Sequence, residues 1–270
     1  MKPGPSGIDN LSSNQGDYGL VITCEHGGNR IPKQYQAYFD GYQDLLDSHR
    51  GFDPGALVMA NTLAKAFSAP SVTSTVSRLL VDLNRSIGHP DLHFSTIQNA
   101  SATLRQKIVQ HYYQPYRTKV EGLIRQTLTN HNQVIHLSSH SFTPELNGRQ
   151  RNADIGLLYD PSRPGEVSFC KCWKSALKIC APTLKVRRNY PYQGKADGQT
   201  RWFRRQLPTD TYLGIELEIN QKHILIADRY WLALCQRVVE SLQIALTNYS
   251  AYQVASINTR SCQPSPGVIP

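Results

Sequence analysis

Two histidines, an aspartate and a pair of glutamates have the types and spacing that metal-assisted hydrolysis requires. His26 stands in CEHGGNRIP, where the apolar run Gly19–Cys24 delivers Glu25 and His26 into a Gly27-Gly28 turn. A histidine at such a turn is a metal-ligand or acid–base candidate, and the glycines are expected to let a ligand approach the backbone. Glu25 is a weaker candidate for the same place. Asp53, in HRGFDPGAL, precedes Pro54 at a helix start. It reads either as an ordinary N-cap or as an inward carboxylate held at a helix N-terminus. In VIHLSSHSFTP the strand is expected to end near Ser138, which leaves His136 in the core and His140 in the turn as the functional histidine. Glu216 and Glu218, in YLGIELEIN, share one face of a predicted strand, opposite Ile215, Leu217 and Ile219. Two carboxylates in an apolar strand need a metal, an arginine or a water, unless the strand is an edge with one solvated face.

Taken together, these side chains suggest one arrangement. His26, Asp53 and His140 hold a divalent ion with one position open, zinc being suited to such nitrogen and oxygen ligands. A glutamate of the 216–218 pair then takes a proton from water. A second constellation lies in SRLLVDLNRS, residues 77–86. The run at 79–83 reads as a buried strand ending in Asn84-Arg85, and a guanidinium there matches a substrate carboxylate. The plain alternative is a structural ion pair, with Asp82 as partner. A third feature is the basic excess between Lys185 and Arg205, which suits either a rim that draws in small anions or a nucleic-acid-binding stripe.

The elements that must position these residues alternate between strand and helix along 270 residues. Strands are expected at 19–24, 79–83, 133–138, 155–159, 184–188 and 212–219. Helices are expected at 54–67, at 101–129 with a bend at Pro115, at 165–180 and at 227–247. This order argues for an α/β fold, one domain with a mostly parallel sheet. Residues 1–17 read as a flexible leader without the apolar centre of a secretory signal, and residues 251–270 as a flexible tail. No segment approaches ~18 apolar residues, so no membrane span is expected. Six scattered cysteines without a C-x-x-C pair set the expectation of free thiols in a cytoplasmic protein.

CEHGGNRIP, HRGFDPGAL, SRLLVDLNRS, HSFTPELNGRQRNADIGLLYD, RRNYPYQGKADGQT and GIELEIN, in that order, resemble the N-formylglutamate amidohydrolase family. The resemblance covers residues 18–245. It implies a zinc-carboxypeptidase-like fold, a mixed, mostly parallel sheet flanked by helices. It implies one zinc ion, held by His26 and His140, and hydrolysis of a small carboxylated N-acyl amino acid such as N-formyl-L-glutamate. It implies that Asn84 and Arg85 bind the substrate carboxylate. Glu218 is favoured as the base because it stands two positions before Asn220, whereas the related Gly-Ile-Glu pattern of aspartoacylases selects Glu216. The carboxypeptidase pattern places a glutamate ligand three residues after the first histidine. Here that position is Asn29, and Asp53 is the replacement expected. Arg78, Arg149, Arg151, Asn152 and Tyr192 form a second group of candidates. An arginine after the His140 turn would clamp a second carboxylate, and Tyr192 would close over the pocket or donate to the tetrahedral intermediate. Solvated arginines and a tyrosine that only packs its loop are the plain readings. A carboxypeptidase-like peptidase and a non-catalytic nucleic-acid-binding protein are the rival functions; on the preferred reading neither nucleic acid nor membrane is a partner.

Overall fold

The computed structural model describes residues 17–224 and 228–261. Its centre is a six-stranded sheet made of β1 (Tyr18–Cys24), β2 (Ser71–Thr73), β3 (Gln133–Phe142), β6 (Ile155–Leu158), β7 (Val186–Arg188) and β8 (Tyr212–Asn220). The spatial order is β2-β1-β3-β8-β6-β7. β2, β1, β3 and β8 run parallel, β6 is antiparallel to β8, and β7 is parallel to β6. The fold is therefore α/β with a mixed, mostly parallel sheet. A small hairpin, β4 (Glu145–Leu146) and β5 (Arg149–Gln150), projects beyond β3.

Eight α-helices accompany the strands among the described residues. In chain order they are α1 (Gln43–Leu46), α2 (Ala56–Ala66), α3 (Ser95–Gln98), α4 (Ala102–Ile108), α5 (Gln114–Asn130), α6 (Pro164–Cys180), α7 (Gln199–Gln206) and α8 (Asp228–Ser261). One face of the sheet buries Ile135, Leu137, Ile215, Leu217 and Ile219 against α2, α6 and α8, with Trp173 fully enclosed. The other face packs Val21, Val134 and Tyr212 against Val120 and Ile124 of α5 and the apolar segment 79–83. Alternation places Ile135, Leu137, Ile215, Leu217 and Ile219 on the first face and His136, Ser138, His140, Glu216 and Glu218 on the second. β8 lies between β3 and β6, so its glutamates do not sit on a solvated edge.

Several expected elements take a different form. Residues 79–83 are a buried turn, not a strand. Their backbone bonds go to a neighbouring loop, Asp82 N–H to Leu92 O at 2.8 Å and Phe94 N–H to Leu79 O at 3.0 Å. A short apolar run reports burial, and burial does not distinguish strand from turn. β3 continues four residues past Ser138 and is buried throughout, so His140 stands in a strand rather than a turn. Pairing with β8 on one side sustains it to Phe142. The helix expected at 101–129 is interrupted by one π-turn, Val109–Tyr113, just before Pro115. A proline supplies no N–H to the helix ladder, and a widened turn accommodates that gap. The last helix runs past residue 250 to Ser261, while residues 1–16 and 262–270 lie outside the described residues. Cys24, Cys170, Cys172, Cys180 and Cys235 are free thiols, and no described helix is long and apolar enough to cross a membrane.

Candidate active site

The C-terminal ends of three parallel strands bring the chemistry to one edge of the sheet, where ligands of such sheets bind. His26 follows β1 by two residues, and His140 and Glu218 each stand two residues before the ends of β3 and β8. His140 and Glu218 are direct neighbours in the ladder, as are Ser138 and Glu216. All four side chains therefore share a face. Asp53 arrives from the start of α2. Its N–H donates to His26 O at 2.8 Å. The opposite face of β3 pins the same segment, Ser139 Oγ donating to Ala56 O at 2.9 Å and Ser141 Oγ to Pro54 O at 2.6 Å. The N-cap position of α2 is Gly55, at φ 76°, and no side chain caps the helix. The Asp53 carboxylate is thus free to turn inward, and the ordinary N-cap reading does not hold.

His26 Nδ1 lies 3.3 Å from Asp53 Oδ2, and His140 Nδ1 lies 2.9 Å from the same oxygen. These three buried residues offer donor atoms that all lie within 4.8 Å of one another. The far side of each ring is tied to an acceptor. His26 Nε2 bonds Asp82 Oδ1 at 2.7 Å. His140 Nε2 bonds Ser138 Oγ at 2.8 Å, and that hydroxyl donates to Glu25 Oε2 at 2.6 Å. Tyr116 OH donates to the other Glu25 oxygen at 3.1 Å. Acceptors at both Nε2 atoms fix the ring orientations and direct both Nδ1 atoms at one point, the usual support for metal-binding imidazoles.

The electrostatics agree with that reading. Burial would depress both imidazoles, yet Asp82 and Asp53 hold His26 above its ordinary value, and Asp53 and Glu25 hold His140 well above it. Burial would raise Asp53, but His26, His140 and Arg78 keep it far below the carboxylate range. Arg78 spans the two aspartates, with Nη1 at 3.2 Å from Asp53 Oδ1 and Nη2 at 2.8 Å from Asp82 Oδ2. The site thus favours protons on imidazole nitrogens that face one carboxylate oxygen. A divalent ion taking their place preserves the charge balance, and two imidazoles and a carboxylate are a donor set suited to one.

Glu218 differs from the other carboxylates. It is buried and its Oε2 has no hydrogen-bond partner among the described residues. Burial, with Asp53 and Glu216 nearby, pushes its carboxyl up to about 8. Glu216 instead accepts a hydrogen bond from Thr200 Oγ1 at 2.8 Å. His136 packs in the core between Thr23 Oγ1 at 2.9 Å and Tyr212 OH at 2.7 Å, and burial pushes its imidazole down to about 4.

A cavity of about 220 Å³ opens over this cluster. Its lining unites His26, Asp53, His140, Glu216 and Glu218 with Arg78, Asn84, Arg85, Arg151 and Tyr192. Asn84 and Arg85 reach it from the buried turn. Asn84 Oδ1 accepts from Gln199 N–H at 2.7 Å, which leaves its amide NH₂ as the free donor. Neither Arg85 nor Arg151 forms an ion pair among the described residues; Arg85 Nη1 donates to Asp197 O at 3.3 Å, and Arg151 stacks over the Tyr192 ring at 5.0 Å. Arg78 is taken up by the two aspartates. Arg149 lies exposed in the hairpin, and Asn152 bonds Lys185 Nζ at 2.8 Å, neither lining the cavity. Asn29 is also away from the cluster, bonded to Asp47 at 2.7 Å. A larger cavity of about 450 Å³ lies at the opposite end of the strands, beside Tyr18 and His131, and carries no comparable cluster.

The sequence model of the N-formylglutamate amidohydrolase family matches residues 18–225. The chain belongs to that family. Membership in the N-formylglutamate amidohydrolase family makes it a hydrolase of amide bonds. Among solved structures, the gene product Atu2144 from Agrobacterium tumefaciens is similar at 28% identity and a TM-score of 0.69, over 91% of this chain and 93% of that one. The N-formylglutamate amidohydrolase from Ralstonia eutropha JMP134 shares the fold at 16% identity and a TM-score of 0.64, over 90% and 97% of the two chains. No curated protein matches the chain significantly.

Sequence reasoning missed the supports of this family member's site. Asp82 appears there only as an ion-pair partner and Glu25 as a minor ligand candidate, yet they anchor the two histidines. The available signal was their identity: charged residues inside apolar runs, which fold inward only with partners. The Gly27-Gly28 turn has a packing reason that the sequence did not show. A Cβ at Gly27 would stand 2.8 Å from Ser74 O, and one at Gly28 2.8 Å from Thr75 O. The close neighbour of each is the chain's own backbone. The basic segment is likewise no continuous stripe, since Arg204 is buried against Glu166 at 2.9 Å.

Proposed function

We propose that this chain is a zinc-dependent amidohydrolase that cleaves a small N-acyl amino acid, with N-formyl-L-glutamate as the representative substrate. The observation that carries the reading is the unpartnered, buried Glu218 oxygen in the same cavity as the converging donors of His26, Asp53 and His140. A divalent ion held by those three residues would polarise the amide carbonyl and acidify water. Glu218 serves as the general base, taking a proton from the attacking water and passing it to the leaving amine nitrogen. Its raised pKa suits a group that must both accept and donate near neutral pH, once a cation nearby draws it down. Glu216 is less suited, because its carboxylate already engages Thr200.

Asn84 NH₂ and the Arg85 guanidinium hold the substrate carboxylate, and Arg151 is placed to meet a second one. Both arginines lack carboxylate partners among the described residues, so a dicarboxylic substrate would supply them. The Tyr192 phenol is raised above its usual value by burial and then by Glu218, so it keeps its proton and serves as a donor to developing negative charge. A carboxypeptidase-like role is less well supported, since a cavity of about 220 Å³ suits a small amide better than a peptide chain. The buried Arg204 speaks against a nucleic-acid stripe.

The test is purified protein loaded with zinc and assayed against N-formyl and N-acetyl amino acids. Near-stoichiometric metal and formate release, greatest for acidic amino acids, is the expected result. Protein that neither retains a divalent ion nor hydrolyses any member of the panel would overturn the reading.

A further inference from the structure

The segment between β7 and α7 forms one wall of the cavity through Tyr192, Gln193, Ala196 and Asp197. Its near end is fastened to the sheet by Asn189 N–H, which donates to Leu157 O at 2.9 Å, and its middle to α7, Gly194 O accepting from Arg204 Nη1 at 2.6 Å. Its far end is fastened to the turn that carries Asn84 and Arg85. Asp197 Oδ2 accepts from Ser86 N–H at 2.9 Å, and Asp197 Oδ1 accepts from Ser86 Oγ at 2.6 Å. The Asp197 carbonyl accepts from Arg85 Nη1, and two residues later Gln199 N–H meets Asn84 Oδ1.

We propose that Asp197 is a positioning residue that latches the 189–198 wall to the Asn84–Ser86 turn and thereby sets the affinity for a carboxylated substrate; this rests on the hydrolase reading above. The chemistry of the latch is selective. A carboxylate beside Arg85 would ordinarily capture its guanidinium in a bidentate pair. Here Ser86 occupies both Asp197 oxygens, and only the Asp197 backbone carbonyl touches Arg85. The guanidinium is therefore oriented without being neutralised. Arg85 is held at two further points, its carbonyl by Tyr113 OH at 2.8 Å and its N–H by Asp82 O at 3.1 Å. Asp82 also anchors His26, so the same turn ties the metal-ligand side of the cavity to the carboxylate side.

Removing the latch frees the wall, takes the Asp197 carbonyl from Arg85 and releases Asn84 to rotate. Asp197→Ala in zinc-loaded protein is expected to raise KM for N-formyl-L-glutamate by about tenfold, the effect of losing one charge-assisted bond. Its kcat should stay within about threefold, because Glu218 and the metal ligands are untouched. An N-formyl amine without carboxylates should be hydrolysed as by wild type. Asp197→Asn should restore near-normal KM, since its amide accepts from the Ser86 N–H and donates to Ser86 Oγ. Ser86→Ala should raise KM, because it frees Asp197 Oδ1 to pair with Arg85. Hydrogen exchange supplies the readout independent of turnover: the Ser86 amide and residues 189–198 should exchange faster in Asp197→Ala than in Asp197→Asn. Unchanged KM in Asp197→Ala, or a fall in kcat with KM constant, overturns the proposal. If wild-type protein hydrolyses neither substrate, the hydrolase reading fails by itself, and unaltered exchange in Asp197→Ala then overturns the latch separately.

Discussion

Glu218 and Glu216 have the same chemistry and different surroundings. Glu218 faces buried space with an unsatisfied oxygen, whereas Glu216 is partnered by Thr200. Glu218→Gln should keep its metal, read by elemental analysis, and lose at least about a hundredfold in kcat. A fully active variant would move the base to Glu216. The metal-free protein gives a second measurement. An ordinary glutamate titrates near 4.5, while burial raises the Glu218 carboxyl to about 8. Between those values the folded chain binds a proton that the unfolded chain has released, so stability falls as pH rises through that window. Metal-free Glu218→Gln escapes this loss. Its advantage over wild type should be small near pH 4.5 and reach on the order of a few kcal/mol above pH 8, read by urea unfolding at each pH. At this scale the sequence marked His26, Asp53 and His140 as candidate ligands by type, and the structure brings the three together. It could not separate Glu216 from Glu218, because neither the partner hydroxyl of Thr200 nor the degree of burial is encoded in the strand itself.

At the scale of elements, the site depends on how α2 begins. Gly55 supplies the positive φ that lets Asp53 point inward, and Ile224 Cδ1 would stand 2.6 Å from a Cβ there. Gly55→Ala should therefore destabilise the fold by about 1–3 kcal/mol through backbone strain and overpacking. It should also weaken metal affinity, measured by competition with a chromogenic chelator. Affinity unchanged in a folded variant would show that Asp53 is placed by other contacts. Asp82→Asn tests the support of His26 and should lower metal affinity by about 10–100-fold. Most elements were legible because the alternation of β8 and the apolar spacing of α6 mark the side that packs in the core. The 79–83 segment was not, since an apolar turn and an apolar strand look alike. Nor was the end of β3, where Ser139 and Ser141 read as turn but are held by the β8 ladder and the start of α2.

For the whole molecule, burying so many charges at one sheet edge couples metal binding to stability and to pH. In the metal-free chain the carboxylates around His26 and His140 raise both imidazoles above their ordinary value. Metal binding should then release protons, measured by calorimetry in buffers of different ionisation enthalpy, and affinity should fall as pH falls. Stripping the metal should lower stability by about 4 kcal/mol relative to protein at a thousand times Kd. Equal melting temperatures with and without metal would contradict a folded-state site. The amino-acid sequence by itself determined the α/β class, the alternating faces of the strands and the residue types available for chemistry, because these follow from local periodicity and side-chain identity. Only the tertiary structure decided that His26, Asp53 and His140 meet, that Asp82 and Glu25 stand behind them, and that Asn84 and Arg85 reach the same cavity from a turn. Those relations join segments distant along the chain, and sheet register and helix packing, not local preference, set the distances between them.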